Sequence, residues 1–184
     1  PEEHIKPVRI QRRLFRSERL ELTRSEYGRL LAAAQGMGRA RLALLVEAVC
    51  STGVRVSEVK YLTVEAARSG RAEIRLKGKV RTILLPGKLC RKLLSWARAQ
   101  KITSGELFVT RTGRGLTRGQ IWSEMKSLCA AAEVEPGKVF PHNLRHLFAR
   151  AFYRVSRDIA RLADVLGHSS IETTRIYLLT TSAE

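Results

Sequence analysis

Two arginines, two histidines and a tyrosine could perform a phosphoryl transfer in this chain. Arg55 lies in Gly53-Val54-Arg55-Val56-Ser57-Glu58, and His142 and Arg145 lie in His142-Asn143-Leu144-Arg145. His168 lies in Leu166-Gly167-His168-Ser169-Ser170, and Tyr177 follows it by nine residues. Two arginines and two histidines can hold one phosphodiester, because fixed cations stabilise the extra negative charge of its transition state. A tyrosine can attack that phosphate. The covalent link keeps the bond energy, so DNA could be cut and rejoined with neither a metal nor a nucleotide cofactor.

Each residue alone has a plainer explanation. His142 and Arg145 share one face at a helix start, where the helix end also favours an anion; a solvated surface pair fits the same spacing. Arg55, flanked by Val54 and Val56, calls for an anionic partner. That partner is Glu58 or a ligand phosphate, or Glu58 orients Arg55 toward the phosphate. His168 at a helix stop also fits a capping or core histidine, and Tyr177 fits a packing residue. His142 and His146 have metal-ligand spacing, but Asn143 stands where a zinc protease helix needs Glu. No metal site and no cofactor are expected, and His146 is expected to pack or hydrogen-bond inside the domain.

The positioning elements follow from period and punctuation. Thr23-Arg24-Ser25-Glu26 is a capping box, opening a helix with Tyr27, Leu30, Leu31 and Ala34 at helical spacing and stopped by Gly36 and Gly38. An apolar helix runs from Leu42 to Cys50, and a short one begins near Val56. Over 72–85 the period becomes two, which predicts a hairpin with Gly78 first in a type II′ turn. Lys77 then ends the first strand on the side of Glu73 and Arg75, and Lys79 lies in the turn. Glu106–Thr110 is expected to add a third strand. Leu89, Leu93, Leu94 and Trp96 mark the next helix, and Thr117-Arg118-Gly119-Gln120 caps another. Leu144, Leu147, Phe148, Ala151, Phe152 and Val155 predict one buried stripe along a helix over 142–155. Asp158–Leu166 is helical up to Gly167, and Ser169-Ser170-Ile171-Glu172 caps the helix that carries Tyr177.

Composition narrows the partner. The chain has 184 residues, 34 Lys plus Arg against 17 Asp plus Glu, and a net charge of +17. A charge of that size points to a polyanion, although a generally basic surface gives the same sum. No apolar run reaches the roughly 18–20 residues of a membrane span. The start shows no signal-peptide pattern, so a cytoplasmic, nucleoid-associated protein without membrane contact is expected. Cys50, Cys90 and Cys129 are odd in number and sit in apolar segments, and read as buried thiols. Residues 1–20 are expected to be a basic arm or linker, either a solvated lead-in or a DNA contact. The first residue is Pro1, so a fragment of a longer chain is expected.

Taken in order, Gly-Val-Arg-Val-Ser-Glu, Lys77-Gly78-Lys79, Pro-His-Asn-Leu-Arg-His, Leu-Gly-His-Ser-Ser and Thr-Thr-Arg-Ile-Tyr resemble the catalytic domain of tyrosine recombinases, the phage integrase family. The resemblance runs from about Leu22 to Tyr177. It implies that Tyr177 is the nucleophile forming a 3′-phosphotyrosyl link, and that Arg55 and Arg145 hold the non-bridging oxygens. His142 would assist them and help take the tyrosine proton, His168 would donate a further hydrogen bond, and Lys77 would be the general acid for the leaving 5′-oxygen. It also implies double-stranded DNA as partner and a homotetramer on paired DNA sites at full length. Family members carry a separate helical domain ahead of this one, for which residues 1–20 are too short.

The expected fold is mainly α with a small three-stranded antiparallel β-sheet, an α+β tyrosine recombinase catalytic domain over 21–184. The expected function is site-specific DNA cleavage and rejoining, as in integration or excision of a mobile element. The rivals are a type IB topoisomerase, which relaxes DNA by the same chemistry, and a DNA-binding accessory module without catalysis.

Overall fold

Thr23 and Glu26 cap the first helix reciprocally. Thr23 Oγ1 accepts the Glu26 N–H at 3.1 Å, and the Glu26 carboxylate accepts the Thr23 N–H at 3.0 Å. The computed structural model describes residues 21–179, apart from the side chains of Ile176, Tyr177 and Leu179. The arm expected over 1–20 lies outside the described residues. Helix α1 (Arg24–Gly36) leads to α2 (Ala40–Thr52), a 3-10 helix (Val56–Tyr61), α3 (Val64–Ser69), and strands β1 (Arg71–Leu76) and β2 (Lys79–Leu84). Then come α4 (Gly87–Ala99), α5 (Arg118–Lys126), the short α6 (Cys129–Ala132), a 3-10 turn (Pro136–Lys138), α7 (Pro141–Ser156), α8 (Ile159–Leu166) and α9 (Ile171–Leu179).

The core forms around α2. Leu42, Leu45, Val46, Ala48 and Val49 are all buried, so the helix is apolar on every side. A helix of that kind must be surrounded, and α2 packs against α1, α4 and α7. Each of the buried Leu and Val side chains contributes about 1.5–3 kcal/mol. Gly53 ends α2 with φ 71° in the left-handed region, and a Cβ there would collide with the Phe148 ring. Glycine at 53 thus lets α7 lie directly on the end of α2. No described helix is long and apolar enough to cross a membrane.

Three expectations need correction. First, among the described residues the sheet has two strands. Segment 105–107 pairs instead with the stretch before α3, through Val64 N–H to Gly105 O at 2.9 Å and Leu107 N–H to Leu62 O at 3.2 Å. The chain then turns back on itself at the Val109–Gly115 bridge. Second, the hairpin register places Leu76 opposite Lys79 and Ile74 opposite Arg81. The turn residues are therefore Lys77 and Gly78, with φ 49° and 74°, the paired positive values of a type I′ turn. Lys77 is in the turn and Lys79 begins β2, the reverse of the expected placement. Third, the α7 stripe is buried only over its first half. Leu144 and Leu147 are buried, whereas Ala151 is exposed and Val155 is 87% exposed. The first turns of α7 lie on α2, while Phe148 and Phe152 instead join a small second cluster with Leu162 and Leu166 of α8.

The three cysteines are free, with Cys90 and Cys129 buried and Cys50 half-buried. Burial pushes the Cys50 thiol up to about 11.

Candidate active site

Arg145 ties the site together. It lies on the second turn of α7, 4% exposed, and its Nε donates to Gly53 O at 2.7 Å. Its Nη2 donates to Leu166 O, at the end of α8. One guanidinium thus bridges the segment that leads into Arg55 and the segment that leads into His168. Charge-assisted bonds of this kind are the stronger class. Phe140, extended, and Pro141 at the first helical position start α7. His142 follows at once, one turn ahead of Arg145.

Arg55 opens the 3-10 helix, and its backbone N–H donates to Glu58 Oε1 at 2.8 Å. The Glu58 side chain does not pair with the Arg55 guanidinium. It takes a bidentate pair from Arg81 of β2, at 2.7 and 2.8 Å. Glu58 is fully buried, and its carboxylate cannot stay there without such partners. Glu58 therefore fixes the Arg55 backbone, and among the described residues the Arg55 guanidinium makes no hydrogen bond or ion pair.

The histidines feel these charges. Burial, then Arg145 and Arg55, lower the pKa of His142. His168 is pushed down to about 4 by burial, then by Arg145, Arg55, His142 and Arg81. Its Nδ1 lies 2.8 Å from the hydroxyl of Thr174, a fully buried residue of α9. His146 is pushed down to about 3, first by burial and then by His142, Arg145 and His168. Its ring meets His142 edge-on at 4.6 Å between centroids, and this packing role matches expectation. Among the described residues no group of three His, Cys, Asp or Glu is placed to hold a metal ion.

Some contributors were not foreseen. Thr174 holds His168 to α9 one turn before position 177, and only its place in Thr-Thr-Arg-Ile-Tyr could have pointed to it. Phe140 stacks on His142 at 6.3 Å and 6°, and half-exposed Trp122 stacks on Phe140 at 5.8 Å and 15°. This aromatic column restrains the His142 ring. The Arg81–Glu58 pair links residues 23 positions apart, beyond the reach of local spacing.

Arg55, His142, Arg145 and His168 thus share one place. Tyr177 is on α9, which packs against α8 and α7, and its side chain lies outside the described residues. Lys77 and Lys79 are exposed at the hairpin tip. Lys79, opposite Leu76, shares a face with Arg81 and with buried Ile74 and Ile83.

The phage integrase family model matches residues 21–184. Tyrosine recombinase XerD of Xanthomonas campestris pv. campestris is 34% identical over 185 residues, covering 91% of this chain and 57% of that protein. Tyrosine recombinase XerC of Erythrobacter litoralis is 33% identical over 140 residues, 74% of this chain and 45% of the relative. The chain spans about half the length of these relatives. Among solved structures, XerA recombinase superposes with a TM-score of 0.72 and 28% identity, over 85% of this chain and 57% of that one. XerH recombinase, solved on its palindromic difH substrate in a post-cleavage complex, gives 0.71 and 26%, over 86% and 49%. Fold, motif order and sequence agree, and the chain belongs to the phage integrase family.

Proposed function

We propose that residues 21–184 are the catalytic domain of a tyrosine recombinase that cuts and rejoins duplex DNA at specific sites, with residues 1–20 as a basic arm. Arg55 and Arg145 grip the non-bridging oxygens of the scissile phosphate, and His142 and His168 add hydrogen bonds. The Tyr177 hydroxyl passes its proton to His142, whose lowered pKa keeps it neutral, and attacks phosphorus while the bond to the 5′-oxygen breaks; Lys77 gives that oxygen its proton. The 3′-phosphotyrosyl link is later attacked by a 5′-hydroxyl, which restores the tyrosine. The observation that carries this reading is Arg145 bonded to both Gly53 O and Leu166 O, because one side chain then holds three of the motif segments in register. The family and the DNA-bound XerH relative support DNA as the partner. A homotetramer on paired sites in a bacterial cytoplasm, acting in integration or excision, completes the proposal.

A nicked suicide duplex, selected from a randomised pool by capture on the protein, tests it. The full chain should form a covalent adduct that survives denaturation and excess EDTA. Tyr177→Phe should bind the duplex with unchanged affinity and form no adduct. Adduct persisting in that variant would move the nucleophile elsewhere. Relaxation of supercoiled plasmid lacking the selected site would favour a topoisomerase.

A further inference from the structure

Resting on the cleavage reaction above, we propose that Arg81 is a positioning residue, which sets the lysine-bearing hairpin tip against the phosphate clamp through Glu58. Four observations carry it. Arg81 sits two residues from Lys79 and four from Lys77, on the strand that leaves the turn. Both its Nη groups grip the fully buried Glu58 carboxylate, with Arg81 itself 15% exposed. The same Glu58 carboxylate accepts the Arg55 backbone N–H, so hairpin and Arg55 share one anchor. On its other side Arg81 lies over Gly167: a Cβ there would stand 2.5 Å from Nη1 and 3.0 Å from Cζ. Gly167 precedes His168 and is left-handed, with φ 73°. One guanidinium therefore touches the entry to Arg55 and the entry to His168 while belonging to the hairpin.

Stability alone does not account for this arrangement. A buried ion pair roughly breaks even against well-packed apolar groups. Among the described residues Arg81 Nε, also buried, has no hydrogen-bond partner, a cost that a pair kept for stability would avoid. What the pair provides is direction. A two-stranded hairpin is marginal by itself, and its tip moves relative to the domain unless something near the tip is fixed. Tyr61 Oη donates to Arg75 O at 2.9 Å on the first strand; Arg81 is the charged anchor on the second, and the lysine's reach to the leaving oxygen depends on it.

The selected duplex is made in two forms, with oxygen or with sulfur at the bridging 5′ position of the scissile phosphate. A sulfur leaves as thiolate and needs little protonation, so it reports whether the lysine is correctly placed. Single-turnover cleavage of the oxygen duplex by Arg81→Met should fall roughly 10²-fold, the scale of a misplaced group. DNA affinity should change by no more than about threefold, and the sulfur duplex should recover at least about tenfold of the lost rate. Arg81→Lys, which keeps the charge with one donor in place of the fork, should fall between; it also serves should Arg81→Met fail to fold. Equal losses on both duplexes, or affinity lost in step with rate, would overturn the positioning role and leave the cleavage reaction standing. Failure of the unchanged chain to capture any duplex would defeat the cleavage reaction itself, and the role of Arg81 with it.

Discussion

Arg145 and Lys77 are held in opposite ways. Arg145 is buried under α2 and α8, with carbonyls of two other segments on its guanidinium. Lys77 is exposed at the tip of a two-residue turn, in a left-handed conformation that a lysine adopts at a cost. The difference matches the roles proposed for the two. A group that stabilises charge in a transition state works best when it has nothing left to reorganise. A group that delivers a proton must reach an oxygen that arrives with the DNA, and backbone cost at such a position is a common mark of function.

The largest effect should come from breaking the buried side. Arg145→Ala is expected to lower cleavage by about 10²–10³-fold, as for loss of one oxyanion donor. It should also destabilise the fold, because the Gly53 and Leu166 carbonyls lose their partner at roughly 1–3 kcal/mol each. Single-turnover cleavage and urea unfolding measure the two together. A full rate loss with unchanged stability would mean that Arg145 is not anchored as described.

The exposed side should separate activity from stability. Lys77→Asn puts the favoured residue into a type I′ turn, so the fold should gain up to about 1 kcal/mol. Cleavage should fall about 10²-fold, the low end for loss of a general acid, and recover on the bridging sulfur duplex. Lys79→Ala should be mild on both duplexes. The structure makes this a sharper contest than the sequence did, since Lys79 lies on the face of Arg81 while family likeness favours Lys77. Rescue by sulfur for Lys79→Ala alone would hand the role to Lys79.

The register shows why part of the site was hidden in the sequence. Sliding the hairpin by two residues, from a turn at Gly78-Lys79 to one at Lys77-Gly78, leaves Ala72, Ile74 and Ile83 on the same buried face, because the side-chain period is two. Alternation could not choose between them. Contacts from outside the hairpin fit the observed register: Arg81 on Glu58, and Leu85 N–H on Gly70 O at 2.9 Å. Local signals did better. The Thr23–Glu26 box, the stops at Gly53 and Gly167, and the apolar run of α2 are written within a few residues of where they act. The order of Arg55, His142, Arg145 and His168 marked the proposed clamp. The carbonyls that anchor it carry no sequence signature at all, since every residue has one. Val155 failed for a related reason, because periodicity cannot tell where along a helix the neighbouring core ends.

The smallest effect is a pH dependence that belongs to the buried side. His168 titrates near 4 and His146 near 3 in the folded protein, against about 6.5 in an unfolded chain. His142 is lowered as well. As pH falls through 6.5, the unfolded chain takes up protons on these rings and the folded one does not. Stability is therefore complete above about 6.5 and declines steadily toward 4. The lowered carboxyls of Glu26 and Glu65 titrate below their ordinary 4.5, so the decline between pH 6.5 and 5 belongs to the histidines. Urea midpoints at pH 7.5, 6 and 5 should show it. His168→Gln removes one of these rings and should make the decline shallower, whereas Lys77→Asn should leave its slope alone. Bound duplex should also flatten it, because a phosphate among Arg55, Arg145 and His168 favours the protonated ring. Equal slopes in the unchanged protein and in His168→Gln would mean that the cationic crowding at His168 is absent in solution.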